Sequence, residues 1–303
     1  MSLDPDWLLD RRRLKRQLAA WRVAAVLLLV GAILAGVARF DDLFERDHIA
    51  RLTVDGVIVE DRDRIEAIYA VRDNDAAQAL IVHVNSPGGQ AVGGEDLYRA
   101  LRDVAAVKPV VATMGTVAAS AGYMTASAAD RIFAREGTIT GSIGVILQSA
   151  DITGLLEKLG VRAESFKSAP LKAQPNPLEP LTEEARAATQ ALVMRFYDTF
   201  IDIVAESRPL ERDEVLALAD GRVFTGAAAV DNRLVDAIGS ERQAVAWLEA
   251  THGLDPGLAV REVEIEREDE TFDRLMSLIA GKTVISEALI LDGLVAVWHP
   301  ELN

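Results

Sequence analysis

Residues 79–90 read ALIVHVNSPGGQ and residues 109–123 read PVVATMGTVAASAGY. Each stretch opens with a short, unbroken apolar run of the length of one strand, the pattern of a strand buried on both faces. Each then breaks into small residues and passes into a helical pattern. Two successive strand-to-helix junctions of this kind lie at the carboxyl edge of one parallel sheet, where α/β folds place their sites.

The flanking sequence repeats the alternation. Ile49–Val54 and Val57–Val59 read as two strands turning at Asp55-Gly56, and Arg62–Val71 has helical spacing. Gly94–Val104 and Ala118–Ala129 read as helices, and Ile132–Ala134 and Ile143–Ile146 as short strands. Asp151–Leu159 is a helix opened by Asp151, and Thr182 to Ser207 a long amphipathic one. Arg212–Ala219, Gly226–Asp231 and Ser240–Ala250 are further helices, and Ala259–Ile265 alternates like an edge strand. Strands alternating with helices predict an α/β fold with a largely parallel sheet. The apolar tail Ile285–Trp298 has near-helical spacing and reads as a packed helix, or else as a second membrane contact.

Composition narrows the chemistry. With no cysteine in 303 residues, disulfide scaffolds, thiolate metal sites and cysteine nucleophiles are excluded. Four histidines make a histidine-rich metal centre a poor expectation, so neither metal nor cofactor is expected. The net charge of −15 argues against a nucleic-acid partner, because phosphate binding needs a basic surface. Basic residues nevertheless crowd the N-terminus, with Arg11, Arg12, Arg13, Lys15, Arg16 and Arg22 before the uncharged run Val23–Ala38. That run is only about 24 Å long as a helix. Trp21, Arg22, Arg39 and Phe40 extend it at the interfaces, so it reads as a transmembrane anchor over 23–39. The positive-inside rule then puts a basic segment, 1–22, in the cytoplasm and the catalytic body on the outer, periplasmic side. A cleaved signal peptide ending at Gly36-Val37-Ala38 and a buried core helix are the alternatives. The resulting organisation is 1–22, an anchor at 23–39, a catalytic domain at 49–251 and an extension at 252–303.

The two junctions carry candidate chemistry. Asn85-Ser86-Pro87-Gly88-Gly89 can present backbone N–H groups, with glycine admitting close approach, as an oxyanion site requires. In the second junction Ser120 heads a helix of alanine and glycine, whose small side chains leave room for a substrate carbonyl. A nucleophile beside an oxyanion hole is the minimal equipment for acyl transfer. A plain turn and a packed serine are the ordinary alternatives. Serine needs a base. No histidine lies between His83 and His252, and His83 sits within a strand. A lysine can serve if it is neutral. Lys172, in Ala169-Pro170-Leu171-Lys172-Ala173, has no carboxylate in sequence before Glu179, although a solvated loop lysine is the default reading.

In this order, the motifs NSPGG, GTVAASAGY, AADRIFA, TGSIGV, the FKS…K loop and DGRVFTG resemble the SppA-type signal peptide peptidase family in its single-repeat form. The resemblance covers roughly 49–251. It implies a Clp protease/crotonase-like fold behind an N-terminal transmembrane helix. It also implies a serine–lysine dyad of Ser120 and Lys172, with an oxyanion hole from Gly89 and Ala121. Ser142 would orient the lysine amine. The implied substrates are remnant signal peptides and other short apolar peptides, cleaved at a membrane by a homo-oligomeric ring whose site is shared between subunits. Two departures stand out: Ala121-Gly122 replaces the usual Gly-Gly, and Ala-Gln-Pro-Asn-Pro follows Lys172, which makes Lys167 the competing base. A crotonase-like acyl-CoA enzyme and an inactive membrane-bound scaffold are the alternative functions. Pro170, Pro175, Pro177 and Pro180 should keep the lysine loop extended.

Overall fold

The computed structural model describes residue 18 and residues 21–30, 46–265 and 295–297. The chain divides into a unit up to Arg46 and a second from Asp47 onwards. In the first, residues 21–30 are helical and almost wholly exposed. The expected membrane anchor is overturned: among the described residues no helix is long and apolar enough to cross a membrane. A ten-residue helix spans about 15 Å against a hydrocarbon core of about 30 Å. The remainder of the 23–39 run and most of the basic segment lie outside the described residues. The single-pass placement, the outer-side location and the membrane as a partner rested on that anchor and fall with it.

The second unit is an α/β sheet whose described strands include β1 (His48–Ile58), β2 (Ala77–Gln90), β3 (Val110–Ala119), β4 (Arg131–Ala134) and β5 (Ile139–Gly141). They are joined by α1 (Arg62–Asp73), α2 (Ala91–Ala105) and α3 (Ala121–Ser127). After α4 (Thr153–Lys158) comes α5 (Glu183–Ser207), then α6 (Arg212–Leu218), β6 (Val223–Thr225), α7 (Gly226–Asp231) and β7 (Ala237–Ile238). The chain continues through α8 (Glu241–His252), β8 (Ala259–Glu262) and β9 (Val295–Val297). The main path of the sheet is β6-β5-β3-β2-β1-β8, and β1, β2, β3 and β8 are mutually parallel where they pair. Only β6 and β9 run antiparallel to their neighbours.

The unbroken apolar runs are explained by burial on both faces. Leu80, Val82 and Val84 point to the core under α1–α3 and α5, whereas Ala79 and Ile81 point to the core under α8, with Phe133, Ala244 and Leu248. The long helix starts where Thr182 accepts a hydrogen bond from the Ala185 N–H at 3.1 Å, a conventional N-cap. Its far end is tied to the sheet. The Arg208 guanidinium donates to both oxygens of Asp236, at 3.0 and 2.8 Å, and to the Arg233 carbonyl at 3.0 Å. Asp236 also accepts from the Ile132 N–H at 2.7 Å, at the start of β4.

Five local expectations are corrected. Asp55-Gly56 does not reverse the chain, because both halves of β1 pair parallel with β2, Asp55 with Asn85 and Val57 with Gly88. The ladder slips there instead: Gly56, at φ 73°, stands opposite both Ser86 and Pro87, so the extra residue is on β2. The NSPGG stretch is the irregular end of β2 rather than a turn outside it. The strand expected at Ile143–Ile146 lies four to five residues earlier, at Ile139–Gly141. In the tail, Val295–Val297 is a strand rather than part of a helix, and the rest of Ile285–Trp298 lies outside the described residues. The lysine loop is also less extended than its prolines suggested: the Ile152 N–H donates to the Pro177 carbonyl at 3.0 Å, and Ala169–Gln174 is built of turns.

Asp236→Ala should destabilise the fold by about 3 kcal/mol, because it leaves a nearly inaccessible guanidinium without its counter-charge. Urea unfolding followed by circular dichroism checks this.

Candidate active site

The carboxyl ends of β2, β3 and β5 converge, and an irregularity in the sheet shapes their meeting point. Between the pairs Val84–Met114 and Ser86–Ala118, β3 advances four residues while β2 advances two. The surplus backbone of β3 needs an acceptor, and the Asn85 side chain supplies it. Its Oδ1 accepts from the N–H groups of Thr116 at 3.0 Å and Val117 at 3.3 Å. Its Nδ2 donates to Asp55 Oδ1 at 2.8 Å, so one carboxamide links β1, β2 and β3. A side chain at 115 would meet that carboxamide at 2.8 Å, which is why glycine stands there.

Ser86 and Gly88 shape the end of β2. The buried Ser86 hydroxyl accepts from the Gly88 N–H at 3.0 Å, with Gly88 at φ 109°, where glycine alone is comfortable. A Cβ on Gly89 would fall 1.8 Å from the Ile58 carbonyl oxygen, so any side chain there would displace β1. The start of α3 presses on the same turn: a Cβ on Gly122 would lie 2.9 Å from the Ser86 carbonyl oxygen. The two junctions picked out in the sequence therefore touch.

Ser120 occupies the sharp bend between β3 and α3, at φ 56° and ψ −121°. A positive φ is uncommon for a residue with a Cβ and is held only where the surroundings enforce it. Here the Ser120 N–H donates to the Gly141 carbonyl at 2.8 Å, and its carbonyl accepts from the Met124 N–H at 2.9 Å. Its side chain does not cap the helix. Ala121 follows as the first residue of α3, where backbone N–H groups have no intrahelical acceptor. Ser142, the next residue after β5, has φ 50°, and its N–H donates to the Arg222 carbonyl at 2.9 Å.

Ser120 and Ser142 line one cavity of about 430 Å³. Gly144, Val145 and Ile146 form one side, and α5 forms another with Gln190, Val193, Met194 and Tyr197. These α5 positions escaped the sequence reading as site residues. Their spacing of three, four and seven along a helix was the available signal, but it equally describes a core-facing stripe. The Tyr197 hydroxyl donates to the Ala219 carbonyl at 2.7 Å, and burial pushes its phenol above the ordinary range. Asp220, also on the cavity wall, is held below the usual carboxylate range by hydrogen bonds from the Arg222 side chain.

The lysines lie elsewhere. Lys172 is exposed, its N–H donates to the Ala169 carbonyl at 3.1 Å, and its amine has no partner among the described residues. Lys167 forms an ion pair with Glu179, whose carboxyl it holds below the usual range. Neither lysine lines the cavity on Ser120. His83 is half-buried beside Thr113, 3.1 Å from its hydroxyl, in a separate polar cavity with Arg51 and Arg135.

Comparison with known proteins gives the family. The peptidase family S49 profile matches residues 102–255. A putative protease of Synechocystis is 38% identical over 213 residues, covering 70% of this chain and 76% of that protein. A putative signal peptide peptidase of Enterococcus faecium is 34% identical and covers 65% of this chain and 61% of its own length. Among solved structures, the 1510-N membrane-bound stomatin-specific protease aligns with a TM-score of 0.50 at 15% identity, covering 74% of this chain and 100% of that one, a likeness of fold alone.

Gly122→Val should destabilise by about 1–3 kcal/mol through overpacking against the Ser86 turn. Gly137→Ala, where a Cβ meets nothing within 4 Å, should be neutral or slightly stabilising. Paired thermal melts of the two variants check the contrast.

Proposed function

The chain belongs to peptidase family S49 and is a serine peptidase, and on that premise we propose that Ser120 is its nucleophile and Lys172 its general base. The observation that carries the reading is the positive-φ bend at Ser120, at the head of α3 and on the wall of a cavity. Ser120 Oγ attacks the scissile carbonyl carbon while the neutral lysine amine takes its proton. The oxyanion so formed accepts hydrogen bonds from the Gly89 and Ala121 N–H groups. Collapse breaks the C–N bond, and the lysine returns the proton to the leaving amine. Water then releases the acyl group from Ser120 by the same steps.

Lys172 is preferred to Lys167 on electrostatic grounds. The Lys167 amine is already engaged by the Glu179 carboxylate. Lys172 carries no such partner, but its loop must bring it to Ser120, either by rearranging within the chain or from a second copy. Ser142 would accept a hydrogen bond from the arriving amine and orient it, a role supported by its position on the same cavity wall as Ser120. The apolar wall of Val145, Ile146, Val193 and Met194 supports short apolar peptides as substrates, in keeping with the names of signal peptide peptidase relatives.

A serine-directed fluorophosphonate should label the wild-type chain at Ser120 and leave Ser120→Ala unlabelled. Ser120→Ala should keep its fold and lose peptidase activity on the order of 10³-fold or more. Retained activity would remove Ser120 from the mechanism. Lys172→Arg should be as inactive as Lys172→Ala, because a guanidinium stays charged. If Lys167→Ala is the inactive one, the base moves there. Activity in a mixture of Ser120→Ala and Lys172→Ala chains would show that one copy's loop serves another's serine.

Val193→Asp should lower kcat/KM for peptides with an apolar residue at the cleavage site by about tenfold or more, since it charges the wall that receives it. A peptide series differing only at that residue measures the effect.

A further inference from the structure

At its carboxyl end β2 has two edges. Along one, Val57 and Ile58 of β1 pair with Gly88 and Gly89. The other belongs to β3, whose last pairing with β2 is Ala118 opposite Ser86, two residues before Ser120. Beyond that point β3 turns away into the Ser120 bend. The edge it vacates is taken by β9, antiparallel, with Val297 opposite Gly88, Ala296 opposite Gly89 and Val295 opposite Gln90. A strand has only two edges, and β1 holds the first. The tail segment therefore lies on the side of Gly89 that faces β3 and the Ser120 bend.

We infer that this vacated edge is a strand-docking site and that the chain's own segment Val295–Val297 is its resident occupant. An extended peptide presenting a carbonyl to Ser120 must use the same edge, so the tail competes with substrate in cis. This rests on Ser120 being the nucleophile; the occupancy of the edge does not. Strand addition draws its affinity from main-chain hydrogen bonds, and the exposed polar edge of β2 offers them. Glycine at 88 and 89 leaves no side chain on β2 to obstruct an arriving backbone. The tail has suitable chemistry: Leu294-Val295-Ala296-Val297 is uncharged, apolar and rich in strand-forming residues. Pro300, three residues on, cannot donate to a ladder, so the addition is kept short. Tethering gives even a weak strand a high local concentration, and a longer or better-paired peptide can still displace it.

Ala296→Pro in the full chain is the test, because proline removes an N–H and disfavours pairing. Three quantities are compared with wild type: amide hydrogen exchange at Gly88–Gln90, affinity for a fluorescent peptide of residues 293–299 added in trans, and KM for an apolar peptide. Exchange at Gly88–Gln90 should speed up in the variant. The peptide should bind the variant about tenfold more tightly than wild type, because the edge is no longer partly filled. KM should fall by a similar factor with kcat unchanged. A peptide carrying the same proline should bind neither protein, and a melt unchanged from wild type excludes unfolding as the cause. Equal exchange and equal peptide affinity in the two proteins would overturn the occupancy. Faster exchange with KM unchanged would overturn the competition. Should Ser120→Ala prove active, the nucleophile assignment fails, while the exchange and binding measurements still decide whether the tail holds the edge.

Discussion

The carboxamide of Asn85 holds together the part of the sheet on which everything else is mounted. Its oxygen takes two N–H groups from β3 where the ladder with β2 has slipped, and its nitrogen reaches Asp55 on β1. A regular ladder would have kept β3 parallel to β2 up to and beyond Ser120. With two surplus residues absorbed at Gly115–Val117, β3 instead finishes at Ala119 and enters its bend beside the Ser86 turn. One side chain thus takes up both backbone donors that the slip releases, one exposed and one partly buried.

The consequences extend from that point in two directions. Towards α3, the slip seats Ser120 where Gly141 and Met124 fix its backbone in a conformation that residues with a Cβ seldom adopt. Towards the neighbouring edge, it opens the flank of Gly88–Gln90, into which the tail strand fits. One wall of the cavity on Ser120 comes from α5, which is tied at its end by the Arg208–Asp236 pair and at the cavity itself by the Tyr197 hydroxyl on the Ala219 carbonyl.

Ser120 and Ser142 share a cavity, whereas neither candidate lysine lines it. Lys172 stands on an exposed, turn-rich loop with its amine unengaged, whereas Lys167 is already spent on Glu179. Ser142, by contrast, stands with Ser120 on the cavity wall.

Much of the fold was legible because burial on both faces of a parallel sheet writes itself as unbroken apolar runs, and because glycine and serine mark the breaks. ALIVHV, PVVATM and the long helix from Thr182 all fall where their patterns place them, and Ser120 and Ser142 do share a cavity. The family could be read for the same reason, since its motifs are those breaks in order. Other features depend on contacts distant in sequence. Whether Gly56 turns the chain or merely kinks it was decided by β2, which pairs with both halves of β1. The uncharged run after Trp21 looks like a membrane span to any rule that counts apolar residues, yet the described helix there covers only 21–30. The stripe on α5 carries the same spacing whether it faces core or cavity, and three apolar residues in the tail become a strand only because β3 has vacated an edge. Local pattern reports which face of an element is apolar; only the tertiary structure supplies the surface that it meets.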